Sequence, residues 1–150
     1  MDIATLYSSL TSAIVNAQAT FNAWSQAAYD KNHTYIVRFD VRDAPDPSEC
    51  PCTAISPISR IANQEMKDSV NGFIFHNAVY DTTTSGFANL EAYRKIVEGV
   101  VASTISSADS SLIIPELKVE YDINTAFPFL WSGTLVQIKQ YNTIGANPLR

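Results

Sequence analysis

The first thirty residues carry an apolar seam with no charged side chain along it. Its members alternate at spacings of four and three, namely Ile3, Tyr7, Leu10, Ile14, Ala17, Phe21, Trp24 and Ala28. This heptad spacing predicts one long helix from residue 3 to about residue 30. Solvated helices usually carry ion pairs, yet residues 3–29 contain no Asp, Glu, Lys or Arg. The helix is therefore either covered on more than one side, or exposes a polar face of hydroxyls and amides.

Length and charge limit the classes of protein to which the chain can belong. Its 150 residues are enough for one domain with one hydrophobic core, and 46% of them are hydrophobic. With 10 basic and 15 acidic side chains the net charge is −5, and the basic residues are scattered, so we expect no tight nucleic-acid binding. No apolar run reaches about 18 residues and no signal peptide is evident, so we expect no membrane association and synthesis in the cytoplasm.

Alternating apolar and polar residues predict strands over 34–42, 72–81, 117–123 and 133–141. A second helix is predicted over about 87–107, with Ser85 as its N-cap and Gly99 allowing close contact with the sheet. The region 43–70 is interpreted as a long loop or irregular excursion, because prolines crowd its first part and 53–70 fits either a short helix or an irregular strand. The prediction is a single α+β domain, 1–150, with an antiparallel or mixed sheet and the helices on one face.

The sequence offers little support for catalysis or for a bound metal. Cys50 and Cys52 are separated by one residue, so a disulfide between them would be strained and free thiols are expected. Zinc would need two more ligands, and no paired motif supplies them. His76, Asp81 and the many serines could be combined into a triad only on paper, because triads are defined by geometry. We predict a protein that is not an enzyme and has no cofactor or metal.

The aromatic stretch Phe127–Gly133 precedes the last predicted strand. Aromatic side chains in a loop serve either as a plug over an open end of the core or as interface anchors. Together with the seam of the first helix, the stretch supplies the predicted interface residues, which are Tyr7, Phe21, Trp24, Phe127, Phe129 and Trp131.

The order of these elements, with a last strand that opens Leu130-Trp131-Ser132-Gly133-Thr134, resembles the tail terminator or tail-completion proteins of long-tailed bacteriophages. The match is best from Phe73 to Val101 and in the final strand. The resemblance implies a structural virion protein that forms a ring, usually of six subunits, at the head-proximal end of the tail tube. Such a ring stops tube polymerisation, so the implied partners are other copies of the chain, the tail-tube protein and the neck or head-completion proteins.

The resemblance implies no catalytic residues, and it makes the 43–57 loop and the stretch Phe127–Trp131 candidates for subunit and tube contacts. Two alternatives remain open at this point. The chain could be another phage neck, connector or tail component of similar build. More remotely, it could be a small enzyme or ligand-binding module that uses the sheet face as a pocket.

Overall fold

The computed structural model describes residues 2–36, 45–63, 68–108 and 111–141. In chain order its helices are α1 (Ile3–Asn16), α2 (Gln18–Tyr29) and α3 (Gly86–Ala108), with a 3-10 turn at Pro47–Glu49. Its strands are β1 (Thr34–Tyr35), β2 (Cys52–Asn63), β3 (Asp68–Tyr80), β4 (Leu112–Asp122) and β5 (Phe129–Tyr141).

The predicted single helix over residues 3–30 is wrong, because Ala17 divides it into α1 and α2. Ala17 has φ −87° and ψ 11°, and its N–H donates to both Ala13 O and Ile14 O, at 3.0 and 3.2 Å. The shared donor tightens the last turn of α1, which ends at Asn16, and α2 begins at Gln18. Asp2 caps the start of α1 by accepting from the Thr5 N–H at 2.7 Å.

The five strands form one mixed sheet in the order β1-β2-β3-β5-β4. The short β1 is parallel to β2, and the other neighbouring pairs are antiparallel. The predicted α+β class with a mixed sheet is therefore confirmed. Of the predicted strand 34–42, the structure shows Thr34–Tyr35, and residues 37–42 lie outside the described residues.

The interpretation of 43–70 as a long loop or irregular excursion is wrong for residues 52–63 and 68–70, and of the two alternatives left open for 53–70 the structure shows an irregular strand and not a short helix. Residues 52–63 form β2, and β3 begins at Asp68, so the two strands make a long antiparallel hairpin. A shift in strand register between Pro57 and Ser59 breaks the alternation along β2. The prolines before β2 also do not prevent a 3-10 turn at Pro47–Glu49, since Pro47 occupies a first-turn position where no N–H donor is needed.

The core lies between the helices and one face of the sheet. Its buried residues on the helices recur at spacings of three and four, and include Leu6, Leu10 and Ile14 of α1 and Leu90, Tyr93, Val97 and Val101 of α3. Phe73 and Phe75 of β3 and Val136 and Ile138 of β5 belong to the same cluster. We call this face of the sheet the helix side and the opposite face the outer side.

Candidate interaction surface

Strand β4 is an edge of the sheet, since in the described part of the chain it pairs with β5 alone. Pro115 lies where the register with β5 shifts, between Ile113 and Glu116. Proline has no N–H to offer a neighbouring strand, and edge strands and bulges are the positions in a sheet that tolerate it. The sequence of β4 is thus compatible with an edge and would not suit the middle of the sheet.

Large apolar side chains along this edge are exposed to solvent. Leu117 and Tyr121 lie opposite Val136 and Ser132, which places them on the helix side, but 38% and 42% of their surface is accessible. Phe87 of α3, 44% exposed, packs edge-to-face on Tyr121 with ring centroids 5.4 Å apart. Ile113, 40% exposed, lies on the same strand but opposite Lys139, and so faces the outer side of the sheet. We call Phe87, Leu117 and Tyr121 the β4 strip.

Charged groups on α3 flank the strip, where one arginine pairs with two glutamates. Arg94 lies 2.7 Å from Glu91 and 2.5 Å from Glu98 at i,i+3 and i,i+4 spacing. The hydrogen bond from Arg94 lowers the pKa of Glu91, and burial followed by a hydrogen bond with Glu91 raises the pKa of Tyr121. An apolar centre beside a polar margin is the usual arrangement of a protein interface.

Three of the predicted interface residues lie on the first two helices and face the interior. Phe21 is completely buried, with its ring stacked on His33 at 4.5 Å. Trp24 is half-buried and stacks almost parallel on Tyr93, with centroids 4.7 Å apart. Tyr7 is half-buried against the core. Their apolar character is accounted for by packing within the chain.

The other three come from the aromatic stretch, which is not a loop, because Phe129–Gly133 belong to β5. Phe127 is in the turn before β5 and is 58% exposed. Phe129 is half-buried and packs edge-to-face on Tyr80 at 5.1 Å. Of the three, Phe127 presents the largest exposed fraction to a partner.

Trp131 lies on the outer side of the sheet rather than over an end of the core. Its indole N–H donates to His76 Nδ1 at 3.2 Å. A Cβ atom on Gly133 would lie 2.5 Å from Cζ2 of the indole, so the ring occupies the space that a side chain at 133 would take. The predicted contact of Gly99 with the sheet, by contrast, is wrong, since no atom lies within 4 Å of the position its Cβ would occupy.

A buried polar network was not found by sequence reasoning. The neutral His33 ring contacts Gln18 Oε1 through Nδ1 at 3.1 Å, and Tyr93 OH and Thr53 Oγ1 through Nε2 at 2.5 and 3.0 Å. Thr53 also bonds Tyr93 OH and continues the network to Asn77. Burial lowers the pKa of His33 to about 4. Because its members come from separate elements, no spacing in the sequence could have indicated this network.

The residues of the hypothetical triad have other partners. His76 is buried against Trp131. Asp81 accepts from Tyr29 OH at 2.7 Å, from the N–H and hydroxyl of Thr83 at 2.7 and 2.6 Å, and from Asn89 at 3.2 Å. These donors outweigh the effect of burial and lower the pKa of Asp81. The carboxylate thus joins the ends of α2 and β3 to the start of α3.

Cys50 and Cys52 are buried free thiols whose sulfur atoms are 4.0 Å apart. Among the described residues, no group of three or more His, Cys, Asp or Glu side chains could hold a metal ion. Within the same ranges, no helix is long and apolar enough to cross a membrane.

The chain matches no family model and none of the curated proteins with which it was compared. The exposed apolar side chains of the β4 strip are the feature of the described residues from which a function can be inferred.

Proposed function

We propose that the chain is a structural virion subunit that resembles a phage tail terminator. In this role it forms a ring, sixfold in the family it resembles, at the head-proximal end of the tail tube, stops tube polymerisation and joins the tail to the neck. The observation that supports an assembling subunit is the β4 strip, in which three large apolar side chains lie exposed at one edge of the sheet.

An exposed edge of this kind is unusual in a protein that works alone. Extended edge strands tend to pair with other chains, and natural proteins protect them with charge, proline or a covering segment. Here Pro115 and Lys118 interrupt β4, but Leu117 and Tyr121 remain accessible. Contiguous apolar surface of this kind marks interaction sites, which favours a function that depends on contacts with other protein chains.

The proposed partners are further copies of the chain, the tail-tube protein and the neck or head-completion proteins, with no cofactor and no catalytic step. The net charge of −5 fits a ring that surrounds a DNA channel without holding the DNA tightly. A different neck or connector component would use the same edge in a similar way. An assay of tube growth distinguishes a terminator from another neck or connector component, because only a terminator has to stop the growth.

The test is polymerisation of the tail-tube protein from the same genome, followed by electron microscopy with and without the chain. We expect tubes grown with the chain to be shorter and to carry extra density at one end. Leu117→Asp should abolish both effects, and Ala92→Asp, on an exposed position of α3, should retain them. Circular dichroism shows whether both variants are folded. Unchanged tube lengths with an excess of the wild-type chain would refute the terminator function.

A further inference from the structure

The two thiols of the chain form a buried pair at the start of β2. Cys50 and Cys52 are 1% and 0% exposed, and their sulfur atoms lie 4.0 Å apart. Ala78 of β3 completes this small apolar cluster, and Ile36 and Phe129 pack against it. Both sulfurs therefore lie in apolar surroundings that largely exclude water.

Separate parts of the backbone hold the two cysteines in place. Cys50 follows the 3-10 turn, and its N–H donates to Pro47 O at 3.3 Å. Cys52 is the first residue of β2 and is paired with Ala78 on β3 and with Thr34 on β1. The fold thus fixes the positions of both sulfurs before anything binds, and such preorganisation lowers the cost of binding a ligand.

The distance between the sulfurs suits a bridging metal ion better than a disulfide. A disulfide bond is about 2.0 Å long, so the sulfurs would have to approach by about 2 Å from their separation of 4.0 Å. A thiolate sulfur binds a first-row metal ion at about 2.3 Å, so two such bonds span 4.0 Å at an angle of roughly 120°. A linear arrangement of the three atoms needs the sulfurs to be only about 0.6 Å further apart.

The number and softness of the ligands decide which ion fits the pair. Zinc in a structural site takes four protein ligands, and iron–sulfur clusters usually take four cysteines. The chain has two cysteines, and in the part that the structure describes no group of three or more His, Cys, Asp or Glu side chains could hold a metal ion. Cu(I) prefers soft thiolate ligands and is stable with two of them, so it fits the pair where zinc does not.

We propose that Cys50 and Cys52 bind one Cu(I) ion between their two sulfur atoms. This site goes beyond the proposed function, since assembly of the ring does not depend on it. The sequence-based prediction of no metal was argued from zinc, which lacks two ligands here, and that argument does not apply to an ion with two ligands. The bound ion links the 3-10 turn at Pro47–Glu49 to the start of β2.

The charges around the pair are compatible with the bound ion. Two thiol protons are released when Cu(I) binds, and one monovalent cation with two thiolates carries a single negative charge. Lys31 Nζ donates to Pro47 O at 2.7 Å, and this carbonyl also accepts from the N–H of Cys50. The ammonium group therefore lies close enough to offset part of that charge. Asp46 and Glu49 of the same turn are exposed, so solvent and salt screen their carboxylates.

The experiment titrates the reduced chain with Cu(I), supplied as its acetonitrile complex without oxygen, against the coloured Cu(I) chelator bicinchoninate. We expect each chain to remove one ion from the chelator. The X-ray absorption spectrum of the copper should show two sulfur neighbours and no nitrogen or oxygen neighbour. Excess Zn(II) should not displace the ion, because two ligands do not complete a zinc site.

The matched control keeps two thiols in the chain but separates them. The double variant Cys50→Ser, Ala92→Cys moves one thiol to an exposed position of α3, on the other side of the sheet from Cys52. Its affinity for Cu(I) should be roughly 100-fold lower, because the second sulfur no longer binds as part of the same site. Circular dichroism shows whether the variant is folded.

Equal affinities of the wild-type chain and a folded control would overturn the proposed site, and so would nitrogen or oxygen neighbours of the copper or displacement by Zn(II). If the control does not fold, the wild-type chain decides alone, since no uptake or a different set of neighbours refutes the pair as the site. The outcome is independent of the tube assay. A chain that binds Cu(I) while tubes grow unchanged retains the site and loses the terminator function, and the reverse result does the opposite.

Discussion

The buried imidazole of His33 should make the fold sensitive to mild acid. The ring is 5% exposed, and burial lowers its pKa from 6.5 to about 4. A histidine with a lowered pKa in the folded state takes up its proton more readily when the chain is unfolded. The contribution of the neutral His33 ring to the stability of the fold is therefore complete above pH 6.5 and is lost as the pH falls from there towards 4.

The size of the effect follows from the two pKa values. At pH 5 His33 is almost fully protonated in the unfolded chain and mostly unprotonated in the folded chain. This pH lies about 1.5 units below the pKa of the ring in the unfolded chain, and that interval sets the free-energy difference. At 1.36 kcal/mol per unit, the free energy of unfolding should fall by about 2 kcal/mol between pH 7.5 and pH 5. Burial also lowers the pKa of His76, which adds a loss of the same sign. The carboxylates of Asp81 and Glu91 have lowered pKa values and stay ionised over this interval.

Urea unfolding at pH 7.5 and pH 5 measures the loss, and His33→Gln should reduce it by about 2 kcal/mol. The matched control His76→Gln should keep that part of the loss, since His33 is still present. NMR titration of the wild-type imidazole gives a second reading that does not depend on a variant, and should place the pKa of His33 near 4. An unchanged loss in His33→Gln, or a titration near pH 6.5, would show that the ring is not desolvated as described.

Three further predictions concern side chains whose contacts are specific. Gly133→Ala should lower stability by about 1–3 kcal/mol by displacing the Trp131 indole, and should cost much less in a Trp131→Ala background. A double-mutant cycle followed by thermal melting measures both losses, and additive losses would show that the indole does not occupy this space. Tyr93→Phe should cost about 1–3 kcal/mol in urea unfolding, because His33 loses a buried partner, and no loss would argue against the network. Asp81→Ala should cost more than Tyr29→Phe in the same assay, since it leaves several donors unpaired, and the reverse order would contradict the described contacts.

Local periodicity in the sequence was sufficient to predict the elements whose apolar pattern is unbroken. Helix α3, predicted over about 87–107, runs from Gly86 to Ala108, because its apolar stripe repeats at helical spacing throughout. The break at Ala17 was not predictable in this way. A single residue outside the regular helix leaves the four-three spacing of the seam intact, so the pattern predicts one helix over α1 and α2.

Strand β2 could not be distinguished from a short helix for the opposite reason, since its geometry disturbs the apolar pattern. The register shift after Pro57 moves the following side chains out of strict alternation, and Ile58 and Ile61 then resemble residues of a short helix. Pairing with β3 supplies the hydrogen bonds that hold this segment as a strand. This pairing within the hairpin overrides the local propensity of the segment.

The β4 strip shows why the candidate interface could not be assigned from sequence. Leu117, Val119 and Tyr121 alternate with charged residues, and that pattern predicts a strand with one buried face. The prediction assumes that the chain itself covers the apolar face, but β4 is the outermost strand and Leu117 and Tyr121 remain exposed. The mismatch between apolar pattern and exposure becomes visible only when the strand order is known. The exposure also distinguishes these residues from the core. Leu117→Ser should change the stability of the chain little and, under the proposed function, weaken its binding to other copies, whereas Phe73→Ala, at a completely buried position, should cost about 3–5 kcal/mol of stability.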